Sequence, residues 1–540
     1  MTSPTPRTSR CSEPLAGEMG TPSSTRQPVA AAVGLCLIAI AVSLVLRVVY
    51  LSQPWRIDAS VPAAFLTAEG LVGLMGRHIV RGARPVFYYG QFYLGAFEAY
   101  LAALAFKVFG ASMTTLRVVP TVSAVMWVPL TGAVAWQLYG RRAGLLAATI
   151  IALPSPFVFE WGFIAWGGHA HVTLMLLALN LLVLVLQRAT PLRLATLGFV
   201  SGFAVWVNQL AVPYLAVVGF VAFKWLNLRR KDLALLVAAG VIGLSPLVYG
   251  NVVQPLATAR NLVFRVRSSW RLSARLIKQT DDEHRYYRSL PLFQVLGAQP
   301  HRDGSWSATG SAVALLLALG GIAQAWHGYR SRAQDPLAFR RVLVVLGFLG
   351  VSLGVGITGF FGQPVARYQI LLYPLLGVLA TGWIEQAGWH LATAAVALVA
   401  LVQVRSILTP GPPEARTPAT AVIAALTQRG LSHGYGADYC YDLVFESGER
   451  LLIEPLGWSK FAPYESAVAT ADRVFYLYRD DQQQKTSHQV FMEYLSHAGI
   501  RSQRLDAGDY HALYDFEPRE SLSGPAIAKL REAILTRKER

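Results

Sequence analysis

Charge is scarce in this sequence. Only 15% of its 540 residues are Asp, Glu, Lys or Arg, while 54% are apolar; a soluble domain carries about 25% charged residues. With a mean hydropathy of +0.40, this excludes an ordinary water-soluble globule and makes lipid the solvent for most of the chain. Cysteine is almost absent. Cys11, Cys36 and Cys440 stand in a polar tail, an apolar run and a distant C-terminal segment, a spacing that excludes a disulfide framework or a cysteine-ligated zinc site. Acids are the minority charge, 31 against 48 bases, and lysine the minority base, 8 against 40 arginines. The net charge of +17 raises the question of nucleic acid. The basic residues fall in loops between hydrophobic runs, however, and no helix-turn-helix or RNA-binding motif occurs. The reading is therefore no nucleic acid, but membrane topology and an anionic lipid or phosphate. No repeat of fixed period is present, and the ionisable residues avoid the middles of the apolar runs. Both features speak against a lipid or sugar transporter.

What is abundant is apolar runs near the roughly 20 residues needed to cross a bilayer. They predict a polytopic α-helical membrane protein with about eleven spans, near 29–50, 118–138, 143–160, 170–187, 193–210, 212–227, 233–250, 308–328, 342–361, 367–384 and 389–408. Arginine-rich short loops mark the cytoplasmic side: "YGRRAG" (139–144), "QRATPLR" (187–193), "NLRRKD" (227–232) and "YRSRAQDPLAFRR" (329–341). An odd number of spans then puts the tail 1–28 in the cytoplasm and everything after Leu408 outside. Two outer loops are large, 51–117 and 251–307, and the second is strongly basic. The segment 97–110 is too short to cross and is predicted to lie on the outer face.

At "LTPGPPEARTPAT" (408–420) a Pro-rich linker ends the membrane part, 29–409, and residues 410–540 read as a soluble α/β domain outside the membrane. There "YDLVFESGERLLIEP" predicts a hairpin turning at Ser447-Gly448, "DRVFYLYR" a strand, "SHQVFMEYLSHAGI" a helix and "RLDAGDYHALYDF" one further strand.

Candidate functional residues cluster in the outer segments. "FYYGQFYLGAFEAY" (87–100) holds seven aromatics and one acid, Glu98. Aromatic rings suit the membrane interface. Tyr88, Tyr89, Gln91 and Tyr93 can also offer a sugar stacking faces and hydrogen bonds. A carboxylate at that depth must face protein or water. "EWGFIAWGGHAH" (160–171) brings Glu160, His169 and His171 to the next outer turn; no third ligand accompanies the histidines, so no metal site is expected. Asn208 and Gln209, with Trp206, fall at the outer end of the fifth span. Arg367 precedes the tenth span on the same side.

These pieces carry a resemblance. "AEGLVGLMGRHIVRGARPVFYYGQFYLGAFEAYLAALAFKVFG" (68–110) resembles the first outer loop of GT-C membrane glycosyltransferases, in particular the family sharing a domain with rhizobial lipopolysaccharide galacturonosyltransferases. Aminoarabinose transferases and protein O-mannosyltransferases are more distant. "LRVVPTVSAV…WQLYGRRAGLLAA", "GQPVARYQILLYPLL" and "HGYGADYCYDLVFESGERLLIEP" resemble its second and third helices, its late Arg-Tyr motif and its C-terminal domain. The resemblance implies a multi-pass enzyme of the bacterial plasma membrane. It would transfer a hexosyl or pentosyl group, with inversion, from a polyprenyl-phosphate donor to a cell-envelope acceptor. A divalent-cation requirement stays open. It also implies a base in the first outer loop, commonly within an Asp-Glu pair. The matching place reads Thr67-Ala68-Glu69, so either Glu69 takes the role, or Asp58 folds back into it, or this chain is a non-catalytic glycan- or lipid-binding relative. Arg367 is implied to hold the donor phosphate. Arg77, eight residues after Glu69 on the same predicted helix, is expected on the same face and in the same cleft.

Overall fold

The computed structural model describes residues 29–53, 63–226, 228–260, 263, 295, 308–358, 366–386, 388–408, 417–437, 440–457, 459–480, 486–518, 522 and 524–539. The tail 1–28, Asp58 and most of the loop 251–307 lie outside them. The membrane part is helical: α1 Val29–Leu51, α2 Ala63–Val80, a hairpin of β1 Phe87–Tyr88 and β2 Gln91–Gly95, then α3 Phe97–Phe109, α4 Met113–Tyr139, α5 Arg141–Ala152, α6 Pro156–Trp161, α7 His169–Gln187, α8 Pro191–Val207, α9 Val212–Lys224, α10 Arg230–Val253, α11 Ala308–Arg330, α12 Pro336–Thr358, α13 Leu372–Gln386 and α14 Trp389–Leu408. Five helices among the described residues are long and apolar enough to cross a membrane: Gly34–Leu51, Met113–Tyr139, His169–Gln187, Arg230–Val253 and Pro336–Val355. Other apolar helices, such as Pro191–Val207 and Leu372–Gly382, are shorter.

Local chemistry explains where these helices depart from the expected runs. The run 143–160 is not one helix. It breaks at Leu153-Pro154-Ser155, because a proline disfavours helical geometry in the residue before it; Ser155 then caps α6 by accepting from the Val158 N–H. The helix α12 begins six residues before the expected 342. Pro336 takes its first position, and the Asp335 carboxylate accepts from the Ala338 N–H at 2.8 Å. Arg340 and Arg341 are thus helical rather than in a loop. The segment 97–110 forms the 13-residue α3, about 20 Å long. The aromatic stretch before it makes the β1–β2 hairpin, which periodicity did not reveal; Trp206 Nε1 donates to the Val86 carbonyl at 3.1 Å and Leu94 bridges to Asn208, tying the hairpin to the end of α8.

The C-terminal part contains α15 Ala419–Gln428, β3 His433–Gly436, α16 Tyr441–Glu446, β4 Leu452–Pro455, α17 Ala462–Ala469, β5 Val474–Arg479, α18 Thr486–His497, β6 Arg501–Ala507, β7 Tyr510–Glu517 and α19 Gly524–Glu539. One sheet runs in the order β4-β3-β5-β7-β6, its first three strands parallel and β7 antiparallel to both neighbours. The hairpin expected at 441–455 is instead a helix, a turn and a strand. Ser447-Gly448 does turn, with positive φ at Gly448 and Glu449, but it joins α16 to a strand parallel to β3. The hairpin lies at 501–517, where a single strand was expected and Gly508-Asp509 divides two.

A buried helix at 441–446 is explained by what it packs on. Gly70 and Gly73 form a stripe of α2, at a three-residue spacing that keeps them on one face. A Cβ on Gly70 would sit 2.2 Å from the Asp442 amide nitrogen, and one on Gly73 would sit 2.8 Å from the Phe445 ring. The stripe lets α16 lie directly on the backbone of α2. Gly70→Ala is therefore expected to push α16 away and destabilise the protein by about 1–3 kcal/mol, the usual cost of overpacking. Thermal unfolding of the purified protein in detergent reads this, and an unchanged midpoint would mean that α16 is not held there.

Candidate active site

Glu69 and Glu98 come from different elements and grip the same turn. The Glu69 carboxylate, 0% exposed, receives hydrogen bonds from the Arg117 guanidinium (Nη2 at 2.8 Å, Nε at 3.2 and 3.3 Å) and from the Ala165 N–H at 3.1 Å. Arg117 stands in the first turns of α4 and is itself 1% exposed, so this is a buried ion pair satisfied inside the protein. Glu98, in the first turn of α3, accepts from the Gly167 N–H at 3.1 Å and the Ala170 N–H at 2.8 Å. It thus fills the anion-favouring N-terminus of α7. Both carboxylates hold the backbone of residues 165–170 from below. Gly167 is required there: its φ is +88°, and a Cβ would lie 3.1 Å from the Tyr88 ring.

The turn presents Trp166. Its ring lies 5.9 Å from Trp161, 5.8 Å from His169 and 6.0 Å from Tyr368, measured between centroids. Arg367 comes from the short helical turn Ala366–Gln369 before α13. Its guanidinium stands 5.6 Å from the Trp166 ring and 5.0 Å from the Tyr368 ring, and Nη2 donates to Tyr368 Oη at 3.2 Å. The Arg367 and 160–171 segments, some 200 residues apart in sequence, thus form one cation-and-aromatic platform. His169 is locked beneath it, Nε2 against the Trp161 carbonyl at 2.6 Å and its ring stacked on Trp127. His171 leads on to Tyr214, 5.9 Å between rings, whose hydroxyl meets Ser352 at 2.7 Å.

Several buried polar atoms in these elements are left over. Among the described residues the buried Tyr88 Oη, Trp166 Nε1, His169 Nδ1, His171 Nδ1, Gln209 Nε2 and Gln369 Oε1 have no hydrogen-bond partner. Buried polar groups are ordinarily satisfied, so these atoms leave hydrogen-bonding capacity that a polar ligand can use. Glu160 lies in the last turn of α6; it is half-buried, and its carboxylate makes no hydrogen bond or ion pair among the described residues. No group of three His, Cys, Asp or Glu side chains among the described residues is arranged to hold a metal.

The other expected site residues lie elsewhere. Arg77 does not share a face with Glu69. Eight residues turn a helix by about 800°, some 80° past two full turns, and Arg77 falls on the glycine face. There its Nη1 donates to the Phe445 carbonyl at 3.0 Å and its guanidinium covers the Phe445 ring at 4.6 Å. Tyr89 stacks on Phe461 at 4.3 Å and meets His78 Nδ1 at 3.0 Å. Gln91 accepts from the Tyr93 hydroxyl at 2.8 Å. Asp58 is outside the described residues. Arg117 and Gln369 carried no signal beyond an isolated arginine in a helix start and a glutamine beside a motif; only their partners reveal them.

His78 and Tyr89 belong to a latch between α2 and the C-terminal part. Glu449 accepts from Tyr464 Oη at 2.7 Å, meets His78 Nε2 at 2.7 Å and pairs with Arg81. Burial acts to raise its proton affinity, but the hydrogen bonds from His78 and Tyr464 and the charges of His78 and Arg81 outweigh it and hold its pKa at about 2, below the ordinary 4.5. A carboxylate depressed in the folded state contributes stability above its unfolded pKa and loses it as pH falls towards the folded one. The latch is thus expected at full strength above about pH 4.5 and to be lost between there and about pH 2. Proteolysis of the C-terminal part across this range, in wild type and Glu449→Gln, reads it; identical profiles would remove Glu449 from the latch.

Sequence comparison finds no matching protein family and no matching curated protein. Structural comparison does find similar structures, and the fold is that of the GT-C membrane glycosyltransferases. ArnT from Cupriavidus metallidurans in the apo state superposes with a TM-score of 0.57 at 15% identity, over 92% of this chain and 100% of that one. The same protein bound to undecaprenyl phosphate gives 0.56 at 14%, over 92% and 99%. The apo oligosaccharyltransferase of Archaeoglobus fulgidus gives 0.52 at 14%, over 85% of this chain and 71% of that one.

Proposed function

We propose that this protein is a membrane glycosyltransferase, moving a sugar from a polyprenyl-phosphate donor to a cell-envelope acceptor at the outer face of the bacterial plasma membrane. The observation that carries the reading is Arg367, presented beside Trp166 and Tyr368 among buried polar atoms without protein partners. The likeness to ArnT, solved with undecaprenyl phosphate, supports it at the level of fold. In this reading an acceptor hydroxyl attacks the anomeric carbon, the bond from that carbon to the phosphate oxygen breaks, and polyprenyl phosphate leaves. Arg367 stabilises the phosphate as charge collects on it. Trp166 and Tyr368 stack on the sugar, and His171, Gln209 and Gln369 bind its hydroxyls.

The base that takes the acceptor's proton is proposed to be Glu160 or Asp58. Glu69 and Glu98 serve as positioning residues, since their oxygens already hold Arg117 and the 165–170 backbone. Ala68, where the resembling family has an acid, favours a second reading, a non-catalytic lipid- or glycan-binding relative. One experiment separates them: lipid mass spectrometry of the polyprenyl-phosphate-sugar pool in cells lacking the protein, complemented with wild type, Glu160→Gln or Asp58→Asn. A donor that accumulates without the protein and is cleared by wild type supports transfer, and the variant that fails to clear it names the base. A pool unchanged in every strain overturns transfer in favour of binding.

A further inference from the structure

Between α9 and α12 lies an apolar groove of about 470 Å³. Ala216, Val217, Phe220 and Trp225 of α9 line one side, and Leu343 and Gly347 of α12 the other. It is closed at one end. Gly347 approaches Val217 so tightly that a Cβ would lie 3.0 Å from it, and beyond this Tyr214 packs on Phe348 at 5.2 Å and bonds Ser352. At the other end stands Arg340, its guanidinium 5.8 Å from the Trp225 ring. From Arg340 to Thr358 the helix rises about 27 Å, close to the roughly 30 Å of a hydrocarbon core. Arg367 follows beyond that far end, so groove mouth and candidate active site lie at opposite ends of the bundle.

The mouth is basic. Lys224 ends α9, Arg229, Arg230 and Lys231 begin α10, and Arg340 completes the set. Among the described residues none of these five is in an ion pair. Among the described residues of α9, α10 and the turn before α12, the acids are Asp232 and Asp335, the latter's carboxylate being used in capping α12. A dead-end apolar slot of helix-contact length, opening at one membrane face on cations in no ion pair among the described residues, matches a molecule with a long hydrocarbon tail and an anionic head.

We propose that this groove is a binding site for an anionic phospholipid, one acyl chain lying between α9 and α12 and the phosphate held by Arg340, with Lys224, Arg229, Arg230 and Lys231 around it. The site is separate from the proposed donor site and stands whether or not transfer is confirmed. Arg340 supplies a planar fork to the phosphate, and Trp225 beneath it fixes that fork at the depth of the headgroup.

Native mass spectrometry of the full chain in detergent tests this, using phosphatidylglycerol and phosphatidylcholine of identical acyl chains as probes. Wild type is expected to retain one phosphatidylglycerol at least tenfold more tightly than phosphatidylcholine. Each mouth cation contributes about fivefold, so Arg340→Ala should weaken retention by about that factor and Arg340→Lys should restore most of it. Ala216→Trp, which fills the slot near its closed end, should abolish it. Arg188→Ala, an exposed cation in the turn between α7 and α8, should leave it unchanged. A matching thermal midpoint of Ala216→Trp and wild type shows that the fold survives. Equal retention of the two lipids, or retention unaffected by both Arg340→Ala and Ala216→Trp, overturns the proposal. So does the loss, in Ala216→Trp, of a co-purifying polyprenyl phosphate or of a second copy of the chain instead of phosphatidylglycerol.

Discussion

Arg367→Ala is expected to lower sugar transfer by about 10²–10³, the usual loss on removing one preorganised group that stabilises developing charge. The same lipid-linked sugar that builds up in cells without the protein should then build up in cells carrying this variant, with the protein present at wild-type level. Arg367 rests on the rings of Trp166 and Tyr368, and a thermal midpoint matching wild type is the control that the fold survives its removal. Arg367→Lys keeps the charge but loses the planar fork and the stacking, and should recover only part of the loss. Full clearance of the pool by Arg367→Ala would remove this residue from the donor site and, with it, the main support for the reading.

The second large effect concerns stability. Glu69→Gln leaves Arg117 buried and charged without its counter-ion, and breaking one side of such a pair costs about 3–5 kcal/mol. Arg117→Met should destabilise by a similar amount, because it strands the Glu69 carboxylate. The double variant Glu69→Leu with Arg117→Met removes both charges together and should recover most of the loss, although the Ala165 N–H then lacks its acceptor. Thermal unfolding of the three proteins in detergent decides it. If Glu69→Gln unfolds with wild type while transfer disappears, the pair is not a scaffold and Glu69 is the base.

The two effects separate what could be read along the chain from what could not. The spans near 118–138 and 170–187 were legible because a long apolar run has few alternatives in lipid, and α4 and α7 occupy them. The capping chemistry at Ser155 and Asp335 is equally local, but hydropathy averages over a proline and does not show it. In the C-terminal part the alternation in "DRVFYLYR" marked β5 correctly: Phe475 and Leu477 face α2 and α16, while Tyr476 and Tyr478 face the other side. The segment 441–446 has strand-like residues but folds as a helix, since the glycine stripe of α2 offers it a flat surface.

The acids at 69, 98 and 160 show the limit most clearly. Their composition and placement marked Glu69, Glu98 and Glu160 as a group worth attention, and Arg367 was found through its motif. Their division of labour was not visible. Whether a carboxylate binds a substrate or a backbone depends on which N–H groups reach it, and Ala165 and Gly167 are 96 and 69 residues from the acids they bond.

The sequence by itself determined that most of this chain lives in lipid, because apolar content and helix length are sums over neighbouring residues. It likewise placed the ionisable groups in the connections between apolar runs. Only the tertiary structure decided that Glu69 and Glu98 bind the turn 165–170, that Arg77 serves the C-terminal part, and that Arg367 meets Trp166. Those outcomes rest on contacts between distant segments, and the free energy of a buried charge is set by the partner the fold brings to it.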